Sequence, residues 1–269
     1  MRGRVAVVTG AASGIGRATA RALHARGAAL ALCDLDAPAL ERVALELGGG
    51  PRVLALAADV TREDQVERFA EATRGELGVP DLLVAAAGVL VLGSFAATPL
   101  EDWEHALDVN LKGPVRLCRA CLPGMVARGR GHVVTVASAA AFATQSELTA
   151  YGATKHALLG LSQALMDELE PSGVGVSVVC PGFVDTPILE RARVRGDDPE
   201  GLRRKAAELL RRRRLPPERV ADSIVRAAER GIPLVTVGLE AQALQLFERA
   251  LPGRAAVLFR LVRGRRPRT

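Results

Sequence analysis

Tyr151 and Lys155 stand four residues apart, and both side chains are of a kind that handles protons. On a helix that spacing stacks them on one face, about a turn apart. Tyr151 is the only tyrosine of the chain. A free phenol ionises near a pKa of about 10, so roughly one in a thousand carries charge at neutral pH. A neighbouring ammonium favours the phenolate, and each unit of lowering corresponds to about 1.4 kcal/mol. The pair therefore predicts an acid–base centre in which Lys155 draws the tyrosine pKa toward the operating pH. Alone, the same spacing would equally suit a packing tyrosine beside a solvated lysine, so the surroundings decide. Ser138 ends the apolar run 133–137, where its hydroxyl can face the same crevice. Asn110 falls inside a long helical stretch, where an amide is a poor intrinsic choice.

A second constellation lies near the start. Gly10, Ser13, Gly14, Ile15 and Gly16 follow the first apolar run directly and open the first helical stretch. Glycines there let the backbone turn tightly and approach a pyrophosphate, whose charge the helix N-terminal amides hold. A glycine cluster by itself signals only a turn; its position between strand and helix makes it a dinucleotide site. Asp34 ends the second apolar run, where a carboxylate would accept both adenine-ribose hydroxyls and repel a 2′-phosphate. Ser13 supplies no cation for such a phosphate. These two residues favour NAD over NADP, although Asp34 could be a plain turn residue and Asp36 could take its role. Asp59 and Val60, ending the third run, are placed to contact the adenine by the same logic.

The elements that must position these groups alternate along the chain. Strands are predicted at 5–9, 28–33, 53–57, 82–86, 133–137, 174–179 and 234–237, with helices at 14–26, 37–47, 62–76, 100–127 and 149–169. Repeated strand–helix–strand order predicts an α/β doubly wound Rossmann fold, a seven-stranded, mostly parallel sheet with helices on both faces. Ligands would then sit beyond the carboxyl ends of the strands. Residues 1–238 read as one dinucleotide-binding catalytic domain with a charged lid insertion at about 185–214. Pro216 and Pro217 should open a further helix. Residues 239–269 read as a basic C-terminal helical extension with a disordered end.

With these features in order, the sequence resembles the short-chain dehydrogenase/reductase family from Arg4 to Val237. The matching residues are Thr9, Gly10, Gly14 and Gly16; Asp59; Asn110; Ser138; Tyr151 and Lys155; and Pro181, Gly182, Val184 and Thr186. The resemblance implies that Tyr151 is the general acid/base and that Lys155 binds the nicotinamide ribose. It implies that Ser138 holds the substrate oxygen and that Asn110 keeps a water-linked proton path open. Thr186, with the backbone near Val184, would fix the nicotinamide carboxamide. There is one departure: the family usually has two asparagines before Ala-Gly after the fourth strand, where this chain has Ala85, Ala86, Ala87 and Gly88. The backbone at Ala86 and Gly88 can still approach the cofactor, but the bonds of both amides must be replaced or lost.

Composition narrows the class further. The chain carries a net charge of +6, yet 249–269 holds seven arginines and no acid, so the remainder is close to neutral. Nucleic-acid binding would ask for charge on a recognition element, and none is evident. Cys118 and Cys121 have redox-motif spacing but lie within a helical stretch; reduced core thiols are the simpler reading, and no metal site is expected. The apolar run 5–9 begins almost at Met1 with no leader-like segment before it, and no run spans a bilayer, so a soluble, cytoplasmic protein is expected.

The expected reaction is hydride transfer between NAD(H) and a hydrophobic secondary alcohol or ketone (steroid-like, long-chain or aromatic). The pocket would be lined by Ala139, Ala140, Ala141 and Phe142, by 92–95 and by the lid, whose arginines would meet an acidic substrate group or form a solvated face. The alternatives are an NADP-dependent ketoacyl-type reductase and a dinucleotide-binding protein without turnover. The intact set Asn110, Ser138, Tyr151 and Lys155 speaks against the latter. The resemblance implies a homodimer or homotetramer built on helices 100–127 and 149–169. The amphipathic arginine-rich tail at 243–262 could rest weakly on an anionic membrane surface, or pack on its own domain or a partner subunit.

Overall fold

The computed structural model describes residues 1–143, 146–212 and 215–251. β1 (Val5–Thr9) is buried along its whole length. It is an unbroken apolar run, as expected of a strand covered on both faces. It is followed in order by α1 (Gly14–Ala25), β2 (Ala29–Asp34), α2 (Ala37–Glu46), β3 (Val53–Ala57), α3 (Glu63–Glu76) and β4 (Leu82–Ala85). Next come β5 (Val91–Leu92), α4 (Leu100–Leu107), α5 (Gly113–Arg128), β6 (Gly131–Val136), α6 (Thr149–Leu169) and β7 (Val174–Pro181). The chain continues through β8 (Arg193–Val194), α7 (Pro199–Arg212), α8 (Pro217–Arg230), β9 (Leu234–Val237) and α9 (Leu239–Ala250).

Seven strands form one parallel sheet in the order β3-β2-β1-β4-β6-β7-β9. Because successive strand residues face opposite sides, Val8, Leu30, Leu32 and Val84 join one buried cluster while Val7, Ala31, Leu83 and Val133 join the other. The sequence order of strands reverses between β1 and β4, so a crevice opens where the flanking connections part company.

Three features go beyond the sequence expectations. The helix predicted at 100–127 is divided by a π turn at Asp108–Lys112, which places Asn110 in an over-wide coil between α4 and α5. In the region expected as a lid insertion, a 3₁₀ turn at Pro187–Leu189 leads to β8, which pairs in parallel with β5, and then to α7. These short elements escaped detection because two-residue strands carry no periodicity. Finally, α9 turns back onto the fold, with Leu244 packed against the cluster of Phe142, Leu158 and Cys180.

Deep in the sheet, the His132 Nε2 and Ser177 Oγ lie 2.7 Å apart, and the Ser177 hydroxyl donates to the Ile232 carbonyl at 2.7 Å. The serine proton is thereby committed, so the imidazole supplies the N–H to Ser177. Burial pushes the His132 pKa down from 6.5 to about 4. All four cysteines are buried and free. Among the described residues no helix is long and apolar enough to cross a membrane. Most of the arginine-rich tail, and with it the membrane-surface reading, lies outside the described residues.

Candidate active site

A cleft of about 340 Å³ opens beyond the carboxyl ends of β1 to β4. One wall is the turn into α1. Gly10 adopts φ +67°, and a Cβ there would stand 2.8 Å from the Ala87 Cα; a Cβ on Gly16 would run into the Gly10 carbonyl oxygen. The turn is therefore closed to side chains, and its backbone faces the cleft. Ser13 precedes α1 in extended conformation and its side chain does not cap the helix, so the first-turn amides are left for another acceptor.

Asp34 stands at the lip of this cleft. Its Oδ2 accepts from the Ala12 N–H and its Oδ1 from the Asp36 N–H, both at 3.0 Å. A carboxylate accepts about four hydrogen bonds, so capacity remains on both oxygens for a pair of hydroxyls. Asp36 does different work: it caps α2 through the Ala39 N–H at 3.1 Å. These features fit a nucleotide: a glycine cradle at an uncapped helix start for phosphates, and a fixed carboxylate for the ribose. Asp59, Val60, Ala86, Gly88 and Thr186 also line the cleft, as do Ser13, Gly14 and Ile15.

The structure also accounts for the missing asparagines. The Ala87 N–H donates to the Thr9 hydroxyl at 3.3 Å, and Asn110 holds the next residues from the other side. Its Oδ1 accepts from the Val89 N–H at 2.8 Å, and its Nδ2 donates to the Val89 carbonyl at 3.0 Å and to Thr154 Oγ1 at 3.1 Å. Both amide protons are thus committed to the chain, which leaves Oδ1 with one lone pair for a water. Gly88 is enclosed between Asn110 and Lys155: a Cβ on it would lie 3.2 Å from Asn110 Oδ1 and 3.6 Å from Lys155 Nζ.

Tyr151 and Lys155 both lie on α6, and Ser138 lies just past β6. The Ser138 hydroxyl lies close enough to the Tyr151 phenol to favour its ionised form, and it accepts from the Ala140 N–H at 3.1 Å. Lys155 Nζ sits 5.7 Å from the centre of the Tyr151 ring and donates to the Val136 carbonyl at 3.0 Å. The expectation of a lowered phenol pKa is reversed here: burial pushes Tyr151 up, with Ser138 opposing. Burial also lowers Lys155 from 10.5 to about 8. Spacing along the helix brings the ammonium near the ring, but enclosure disfavours charge on both partners, and that effect is the larger one. Beneath them Cys180 is fully buried and pushed up to about 12, so its thiol stays protonated.

Pro181, Gly182 and Val184 do not line the cleft, whereas Thr186 does. The Val184 side chain is buried in the core, and the loop is held from outside by Glu240 of α9, whose Oε1 accepts from the Phe183 N–H at 2.9 Å. Other expected pocket residues also lie elsewhere: Leu92 packs beside Leu189 and Ala192, and Ala141 shares a core cluster with Phe142. Phe142 packs into the core beside Cys180. Phe95 is 71% exposed, because a turn built on Ser94 directs it outward, edge-on to Trp103 at 5.9 Å.

Four of the lid arginines are engaged by the fold, whereas Arg204 is exposed, as a solvated face would have it. Arg203 donates to the carbonyls of Leu189, Glu190 and Ala192 at 2.6, 3.2 and 3.0 Å. Arg193 and Arg195 converge on Asp102, at 2.7 Å and 2.6 Å, with Asp102 fully buried. The Arg195 guanidinium, aided by Arg193, holds the Asp102 carboxyl below its ordinary range against the opposing effect of burial. Arg191 reaches Asp36 at 3.2 Å. Of the expected run 211–214, Arg211 is exposed, while 213 and 214 lie outside the described residues. His105 also lines the cleft, with its pKa lowered by burial and by Arg193. Asp102, Thr154, Arg191 and Glu240 carry no local motif, and only the folded chain brings them to the site.

A doubly wound α/β fold, a glycine cradle at its switch point and a Ser–Tyr–Lys group beside it define an oxidoreductase of the nucleotide-fold class. The family model for short chain dehydrogenases matches residues 4–195, and the chain belongs to that family. It is 40% identical over 256 residues to the protein named "Probable oxidoreductase EphD" of Mycobacterium tuberculosis, covering 91% of this chain but 43% of that protein. The chain therefore spans less than half the length of that relative. An uncharacterized oxidoreductase of Staphylococcus saprophyticus is 32% identical over 231 residues, which cover 85% of this chain and 92% of that one. Among solved structures, a short-chain dehydrogenase/reductase from Burkholderia phymatum in complex with NAD superposes with a TM-score of 0.86 at 28% identity, covering 100% of this chain and 97% of that one.

Proposed function

We propose that the protein transfers a hydride between NAD(H) and a hydrophobic secondary alcohol or ketone, with Tyr151 passing the accompanying proton. The observation that carries this reading is the buried Lys155 ammonium 5.7 Å from the centre of the Tyr151 ring, with Ser138 on the other side of the phenol's ionisation balance. The dinucleotide, when bound, supplies the hydride acceptor or donor. Everything else falls to the chain. The Gly10–Gly16 backbone would hold the phosphates and Asp34 the adenine-ribose hydroxyls. Ser138 would hold the substrate oxygen against Tyr151 Oη. In oxidation, the hydroxyl proton of the alcohol passes to Tyr151 as its carbon gives up hydride; reduction runs the same transfers backward. Lys155 is close enough that its charge, in a low-dielectric enclosure, eases the moment when the phenol gives up its proton.

Asp34 supports NAD, since a 2′-phosphate would meet its carboxylate. The Ile188 side chain, which lines the cleft, and the small side chains of Ala139 and Ala140 directly after Ser138 support an apolar substrate. One observation favours the NADP-dependent alternative, namely the guanidinium of Arg191, which lines the cleft and pairs with Asp36. A panel of hydroxysteroids, long-chain alcohols, aromatic ketones and ketoacyl thioesters, followed at the absorbance of reduced nicotinamide with both cofactors, tests the reading. Tyr151→Phe should lose turnover by roughly 10²–10⁴-fold, the usual worth of a positioned acid–base group, while binding NADH as before. Turnover that survives this change would remove Tyr151 from the role.

A further inference from the structure

We propose that Arg191 is a binding residue for the diphosphate of the dinucleotide, held in reserve by Asp36; this rests on the nucleotide reading of the cleft. Among the described residues that line the cleft, Arg191 is the one with a permanent positive charge, whereas Asp34 and Asp59 both bring carboxylates to it. A nicotinamide dinucleotide brings two negative charges on its diphosphate. The amides at the start of α1 can donate to that group, yet no lysine or arginine of the glycine turn is there to balance it.

The lid approaches the turn closely. A Cβ on Gly14 would stand 2.9 Å from Thr186 Cγ2, and Thr186, Pro187, Ile188 and Arg191 together form the facing wall. The backbone that carries Arg191 is fixed by Arg203, which binds the carbonyls on either side of it. Its side chain is not fixed in the same way. The Arg191–Asp36 contact has one N–O distance of 3.2 Å, with the two side chains 57% and 37% exposed. Such a pair is weak, and Asp36 keeps its duty as the α2 cap without it. Exchanging Asp36 for a doubly charged, bidentate acceptor in a partly enclosed cleft is favourable for a guanidinium. A 2′-phosphate is the poorer target, because on the adenine ribose it would meet the carboxylate of Asp34.

Binding of NADH, NADPH, ADP-ribose and adenosine to the full chain, measured by calorimetry and by nucleotide fluorescence, tests this. Arg191→Gln should weaken NADH and ADP-ribose alike by about tenfold, the scale of one charge-assisted hydrogen bond, and leave adenosine unchanged. It should also flatten the salt dependence of ADP-ribose binding. Asp36→Asn retains a capping side chain and frees the guanidinium, so it should tighten ADP-ribose. The exposed position of Arg191, with the lid still tied by Arg193, Arg195 and Arg203, keeps the variant folded. Equal affinities of wild type and Arg191→Gln for ADP-ribose would overturn the proposal, as would a loss confined to NADPH. A wild type that binds none of the four would instead overturn the nucleotide reading on which it stands.

Discussion

Replacing Lys155 with methionine should make the protein more stable and catalytically dead. The side chain is 4% exposed, and burial moves its pKa from 10.5 to about 8. An unfolded lysine keeps its ordinary value, so between about pH 8 and 10.5 the unfolded chain holds a proton that the folded chain lacks. Stability therefore rises with pH through that window, and below about pH 8 the fold bears the whole penalty of the buried charge. The fall from 10.5 to about 8 converts to about 3 kcal/mol at ~1.4 kcal/mol per unit. Methionine escapes that penalty and fills much of the same volume, but it leaves the Val136 carbonyl without the donor that Lys155 supplies at 3.0 Å. That loss costs ~1–2 kcal/mol.

The balance is a gain of roughly 1–2 kcal/mol at pH 7, or ~2–8 °C in melting temperature for a chain of this size. Thermal unfolding of wild type and Lys155→Met without added nucleotide, at pH 7 and near pH 10, reads it directly. The gap should be present at pH 7 and shrink at the higher pH, where the wild-type lysine is neutral in the fold. Activity should be lost throughout. A variant that melts below wild type at pH 7, or a gap indifferent to pH, would refute the argument that this site stores a desolvated charge.

Two further consequences concern stability and the cleft. His132, with its pKa lowered from 6.5 to about 4, contributes stability that is present above pH 6.5 and lost as pH falls through about 4, ~3 kcal/mol in all; His132→Gln should flatten acid-induced unfolding across that window, and unchanged slopes would contradict it. Asn110→Ala removes three hydrogen bonds and leaves the Val89 N–H and carbonyl unpaired, so it should cost roughly 2–4 kcal/mol and weaken NADH binding through the Gly88–Leu90 segment; a variant as stable as wild type would show that Asn110 does not organise that wall.

Much of this architecture is legible in the sequence because it is local. A strand such as β1 announces itself by an unbroken apolar run, and the turn from Gly10 to Gly16 by glycines between strand and helix. Tyr151 and Lys155 share a face because helical geometry requires it. What was illegible depends on the environment. The π turn at Asn110 preserves the helical pattern on both sides, so no periodicity betrays it. The direction of the Tyr151 pKa was misjudged because spacing reports how near a charge is and says nothing about enclosure. The lid arginines looked solvent-facing because their partners, Asp36 and Asp102, stand 155 and 91 residues away for Arg191 and Arg193.

Those same arginines show how the roof of the site is held. At the β8 end, Asp102 is wholly buried while its partners Arg193 and Arg195 remain part-exposed. Withdrawing them would strand an unpaired carboxylate inside the protein, which is a severe penalty. At the other end, Arg191 and Asp36 are both open to water, and their separation costs little. The lid is therefore tied unequally: firmly where β8 pairs with β5, and loosely where it overhangs the phosphate-binding turn. Only Ala192 divides the strong tie of Arg193 from the weak one of Arg191, so the charge that can be released lies beside the part of the cleft that a dinucleotide must enter.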